Sequence, residues 1–124
     1  MARKLEPILA DILDRIGKIQ AATKDKTFED FEADWILRFA IERGIENISE
    51  AVRHIPEEIL EQQPQIPWPL VKGIGNVLRH EYHRIASKVI WTVVTQHLEP
   101  LRIAAIAIRQ KYIAQRCLGV LCLD

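Results

Sequence analysis

The spacing of the large apolar residues constrains this chain more than any other feature. Leu5, Ile8, Leu9, Ile12, Ile16 and Ile19 recur at intervals of three and four, the repeat of a single helix face, and predict an amphipathic helix over about 4–22. A polar connection, "ATKDKT", follows. Thr27 then opens "TFED", in which Thr27 can cap a helix and Asp30 holds the reciprocal position of a capping box. From there one long helix is expected, with Phe28, Phe31, Trp35, Ile41, Ile45, Ile48, Val52 and Ile55 as its stripe and Glu42, Arg43, Glu46 and Arg53 on the other side. Gly44 weakens it by about 1 kcal/mol relative to alanine, which a stripe this long tolerates.

Pro56 ends that helix and can open a short one, "PEEILEQQ", because proline fits a first turn. After the proline-rich corner "PQIPWP", the chain can turn helical again from Pro69. A last helix of about 25 residues follows Ser87, with Ile90, Val94, Leu98, Leu101, Ala105, Ile108 and Tyr112 on one face. "VIWTVV" is β-branched enough to pass for a strand, and Pro100 should kink or interrupt the helix; the sustained period decides for helix. No repeat or low-complexity tract occurs. The sequence therefore predicts an all-α fold, an antiparallel bundle of four to five helices in one domain over residues 1–124, with the apolar tail, about 115–124, unassigned.

With 124 residues, 48% of them apolar, the chain can bury a core without disulfides. Seventeen basic residues balance seventeen acidic ones, so a nucleic acid would have to bind a local patch. No apolar run is long enough for a membrane span, and Glu6, Asp11 and Asp14 interrupt the N-terminal segment as no signal peptide would be interrupted. Cys117 and Cys122, five apart, would lie on different helix faces and read as two idle thiols. These features together suggest a cytoplasmic protein.

The stretch "GIGNVLRHEYHRI", residues 73–85, raises the question of chemistry. His80 and His83 are three apart, whereas the helical zinc-protease signature needs four, and His54 and His97 complete no site; no metal or cofactor is expected. "GIGN" lacks the lysine and hydroxyl of a phosphate loop, so Gly73 and Gly75 are expected to allow close backbone approach. A third reading is metal-free RNA cleavage. That reaction needs a base for the 2′-hydroxyl proton, an acid for the leaving oxygen and a cation for the phosphorane. Histidine suits the first two roles and arginine the third. A solvated basic face is the competing reading from composition alone.

From Phe28 to Leu101, roughly three-fifths of its length, the chain resembles the HepT-like family of the HEPN superfamily, the toxin halves of two-gene toxin–antitoxin modules. The resemblance lies in "FEDF", "AIERGIENISEAVRHIP", "PQIPW", "GNVLRHEY" and "VIWTVVTQHLEPL", in order and at compatible spacing. It implies a homodimeric, metal-independent ribonuclease whose motif lines a cleft between protomers, with RNA as substrate and a minimal nucleotidyltransferase as antitoxin. The motif is an arginine, four residues, a histidine, one residue and a tyrosine. The histidine maps to His80, the tyrosine to Tyr82 and the asparagine that commonly follows the arginine to Asn76, while the arginine's own position is Gly75.

Glycine cannot hold a phosphate, so the alternative is a degenerate HEPN dimer that binds RNA, a nucleotide or its partner without cleaving. Arg79, one turn beyond position 75, and Arg84, four residues after His80, are candidate substitutes, and Lys72 is a weaker one. His83 is a supporting residue. His80 and Tyr82 lie about 200° apart on a regular helix, so the helix is expected to end or loosen near 80–83 and leave Tyr82 at the cleft rim. In the implied module the nucleotidyltransferase transfers AMP to that tyrosine. Trp35, Trp68 and Trp91 read as core, His97 as surface, and Glu50 as a solvated carboxylate or a cleft residue.

Overall fold

The computed structural model describes residues 4–80 and 85–123, with positions 79, 80, 85, 86 and 118–123 described by backbone alone. All regular structure among the described residues is helical: α1 (Leu5–Thr23), α2 (Phe28–Ala33), α3 (Trp35–Arg53), α4 (Glu57–Leu60), α5 (Trp68–His80), α6 (Ile85–Thr92), a π-helical turn (Val93–His97) and α7 (Leu98–Leu123). The chain is thus divided more finely than the four or five helices expected, and the tail to Leu123 continues α7.

The predicted face of α1 is the buried one, with Ile8, Leu9, Ile12 and Ile16 at most 1% exposed. Each such side chain contributes roughly 1.5–3 kcal/mol by leaving water. Helix α1 packs against α3 and α7, and α3 packs in turn against α5. Where α1 crosses α3, a Cβ on Gly44 would stand 2.9 Å from Ile19 Cδ1, so this glycine permits the close crossing. Thr23 ends α1 by donating its hydroxyl to the Ile19 carbonyl at 2.8 Å. The chain then reverses through Asp25, whose φ of 61° lies in the left-handed region, and Lys26 N–H closes the turn on the Thr23 carbonyl at 3.0 Å.

Thr27 and Asp30 form the expected capping box, with reciprocal bonds of 3.1 and 3.0 Å. The long helix expected beyond it is broken after one and a half turns. Asp34 leaves the helical conformation and accepts the Leu37 N–H at 3.0 Å, capping a new helix. Aspartate competes with the backbone for its own donors, which the apolar stripe does not register. The break changes the phase. Phe31 is fully buried and stacks on Trp91 at 5.2 Å, but Trp35, expected in the core, is 58% exposed beside the equally exposed Ile36 and Phe39. Trp68 is buried, donating its indole N–H to the Gln63 carbonyl at 3.0 Å.

The β-branched "VIWTVV" is helical. The interruption expected at Pro100 takes the form of a widened turn just before it, in which Leu98 N–H reaches the Val93 carbonyl. This spacing makes room for a ring that has no N–H and crowds the preceding turn. Ile90, Val94, Leu98, Leu101, Ala105 and Ile108 form the buried face, as the period predicts.

Candidate functional site

The candidate motif lies on α5, and α3 determines its surroundings. Ser49 Oγ donates to the Lys72 carbonyl at 2.9 Å. One turn further along α3, Arg53 donates Nε and Nη2 to the same oxygen at 3.2 and 3.1 Å. The Lys72 ammonium is engaged with Glu57 at 2.7 Å, and His54 Nε2 lies 3.3 Å from Glu50, whose carboxylate is solvated. Arg53, placed by the sequence on the side opposite the apolar stripe, is exposed as expected and also bridges α3 and α5. Glu42, expected on that same side, is half-buried, and burial raises its carboxyl above the ordinary range while Arg38 opposes the shift.

Gly75 is buried against α3. A Cβ there would stand 3.2 Å from Ser49 Oγ and 3.4 Å from its Cβ, so close approach is realised at this glycine. At Gly73 the expectation fails, because nothing lies within 4 Å. Gly73 instead borders an apolar groove of about 550 Å³. The groove runs between Ile45 and Ile48 of α3, Ile66 and Pro67 of the proline corner, Leu70, Gly73, Ile74 and Val77 of α5, and Val93, His97, Leu98 and Leu101. Leu70 is 72% exposed and Val77 43% exposed along its rim, and His97 is exposed as expected.

Position 80 lies two turns beyond Gly73 and about 20° round the axis, so it continues the groove-side stripe of α5. Asn76, exposed one turn before it, shares that side of the helix. The structure therefore places positions 73, 76, 77 and 80 along one side and turns position 75 toward Ser49. Of the other expected site residues, Arg79 and His80 are described by backbone only, and Tyr82, His83 and Arg84 lie outside the described residues. Among the described residues no three His, Cys, Asp or Glu side chains gather as a metal site, and the side chains of His80 and His83 are not among those described. Cys117 is exposed with a free thiol. No helix among the described residues is long and apolar enough to cross a membrane.

Comparison with known proteins gives this helix its context. The ribonuclease HepT-like family matches residues 12–108. The chain belongs to that family. It is 32% identical over 102 residues to "Probable ribonuclease HepT" of Thermococcus cleftensis, covering 82% of this chain and 93% of that one. It is also 30% identical over 100 residues to "Putative RNase MJ1380" of Methanocaldococcus jannaschii, covering 81% and 92%. No solved structure gives a significant match. Sequence reasoning missed Ser49 and Arg53, whose spacing of four marks a shared helix side but carries no sign of their partner 19 to 23 residues away.

Proposed function

We propose that this chain is the toxin half of a two-gene module, a cytoplasmic, homodimeric endoribonuclease that works without a metal. The observation that carries the reading is the register of position 80 with an open apolar groove along α5. A second copy covering the Leu70–Val77 side would bury that stripe and bring the two positions 80 together across a twofold axis. One imidazole would then accept the 2′-hydroxyl proton and the other protonate the leaving oxygen. Arg79 or Arg84 would stabilise the phosphorane, with Asn76 and His83 in support and Tyr82 at the rim.

The packing of Gly75 against Ser49 favours a second reading, a degenerate dimer that binds RNA, a nucleotide or a nucleotidyltransferase partner without cleaving. Incubation of the purified protein with end-labelled RNA separates the two. Cleavage that survives EDTA and falls by about 10²–10⁴-fold in His80→Ala fits the first reading. RNA binding without cleavage fits the second, and equal cleavage by wild type and His80→Ala would remove His80 from the mechanism.

A further inference from the structure

We infer that Arg53 is a phosphate-binding residue, which holds the backbone of an RNA strand on the α3–α5 seam beside the motif. The inference rests on the ribonuclease reading and adds to it a residue that neither the motif nor the sequence assigns.

Charge is unevenly distributed on the seam. Two cationic side chains, Arg53 and Lys72, meet there, and the Lys72 ammonium has a carboxylate partner in Glu57 at 2.7 Å, while the Glu50 carboxylate lies 3.3 Å from His54 Nε2. Arg53 has no carboxylate partner among the described residues. Its guanidinium is held by a backbone carbonyl, through Nε at 3.2 Å and Nη2 at 3.1 Å. A neutral oxygen fixes the position of the group without neutralising it. Among the described residues, the Nη1 amino group makes no hydrogen bond, and the residue is exposed. An exposed guanidinium with donors to spare, immobilised on one edge, is preorganised for an anion, and its planar fork matches phosphate oxygens.

Its position relative to the motif gives the anion an identity. The Lys72 carbonyl opens toward the turn that carries residues 75 and 76, one to two turns before position 80 on the same helix. A single strand entering at position 80 would pass a neighbouring phosphate over this turn. Gly75, buried against Ser49, puts no side chain between α3 and α5. Helical side chains lean toward the N-terminus of their helix, so a long side chain at 75 would also have been directed at the turn that Arg53 now occupies. Arg53 thus supplies from α3 a cation that α5 does not supply at position 75.

The test is the salt dependence of binding of a fluorescent single-stranded RNA to wild type, Arg53→Gln and Arg53→Lys, with a thermal melt of each. Loss of one phosphate contact lowers the slope of log K against log[NaCl] by about 0.7. That loss is expected in Arg53→Gln, whereas Arg53→Lys, which keeps the charge, should keep the wild-type slope. An unchanged slope in Arg53→Gln, even with a lower melting temperature, would show that the residue only ties α3 to α5 and would overturn the proposal. If Arg53→Gln does not fold, the Nε–H resonance of ¹⁵N-labelled wild type titrated with the same RNA decides: a shift supports the contact and an unmoved signal overturns it. A wild type that cleaves RNA while Arg53→Gln keeps its slope sinks this inference alone. A wild type that neither binds nor cleaves RNA sinks the ribonuclease reading as well.

Discussion

Ser49 Oγ stands 3.2 Å from the place a Cβ would take on Gly75, while donating to the Lys72 carbonyl one turn away. The same hydroxyl therefore fixes how closely α3 approaches α5 and what position 75 can hold.

A side chain at 75 requires Ser49 to give by a few tenths of an ångström, and Ser49 is tethered. Gly75→Arg gains about 1 kcal/mol of helix propensity and loses about 1–3 kcal/mol to overpacking. We expect a net loss within about 2 kcal/mol by urea unfolding, and a rise in RNA cleavage if the cleft is otherwise complete. Ser49→Ala should cost about 1 kcal/mol alone and less in the Gly75→Arg background. Strict additivity in that double-mutant cycle would mean the two positions do not compete for space.

The proposed homodimer makes a direct prediction. Leu70 and Val77 are exposed along the groove that position 80 continues, and a second copy would cover both. Light scattering should give twice the chain mass for wild type, and Leu70→Glu/Val77→Lys should be monomeric and lose cleavage, with its helical circular dichroism intact. A wild-type monomer at micromolar concentration would sink the composite cleft.

What could be read from the sequence divides along a physical line. The faces of α1 and of the final helix are local periodic patterns, and burial follows them residue by residue from Leu5 to Ile19 and from Ile90 to Ile108. The Thr27–Asp30 box was legible because both partners lie within one turn. Asp34 was not, because a single capping side chain resets the helix phase while leaving the apolar spacing unchanged, and with it Trp35 turned outward. In the candidate site, His80 and Asn76 came from the family motif, and the helical register of α5 puts positions 76 and 80 on one side of it. Arg53 could not be found that way, since its partner is a backbone carbonyl on another helix, and a carbonyl has no signature in sequence.

Acid titration should expose the tie between α1 and α7. Bonds from Arg102 at 2.9–3.0 Å, with Gln20 of α1 at 2.8 Å, hold the Glu99 carboxyl down to about 2 from 4.5. A folded-state value below the unfolded one means the interaction stabilises fully above pH 4.5 and is lost as pH falls toward 2. Wild type should therefore exceed Glu99→Gln in stability at neutral pH, by a small margin because the pair is exposed, and the two should converge between pH 4.5 and about 2. A constant difference across that window would place the effect elsewhere.

The turn at Asp25 offers a stabilising substitution. Its φ of 61° is a conformation in which an L side chain is strained and glycine is not. Asp25→Gly removes that strain and adds chain entropy to the unfolded state, with an expected net gain of about 0.5 kcal/mol in chemical denaturation. Loss of stability would show that the aspartate side chain itself holds the turn.

Tyr82 should be the position at which the protein is silenced. The proposed partner, a minimal nucleotidyltransferase, would transfer AMP to its hydroxyl. The bond formed joins the tyrosine oxygen to the α-phosphorus of ATP, the bond to the β-phosphate breaks, pyrophosphate leaves and the phenol proton passes to solvent. Each phosphate so added would carry negative charge into the proposed RNA cleft. Arg79, Arg84 and the histidines would then pair with the modification instead of the substrate, and the nucleotide would also lie across the RNA path. This requires only an accessible hydroxyl at the rim, so it holds whether or not Gly75 has weakened catalysis. Co-expression with a minimal nucleotidyltransferase of the proposed module, followed by intact-mass measurement, should show additions of AMP that vanish in Tyr82→Phe. Unmodified protein in the presence of an active transferase would count against the proposal, and additions that persist in Tyr82→Phe would move the site to another residue.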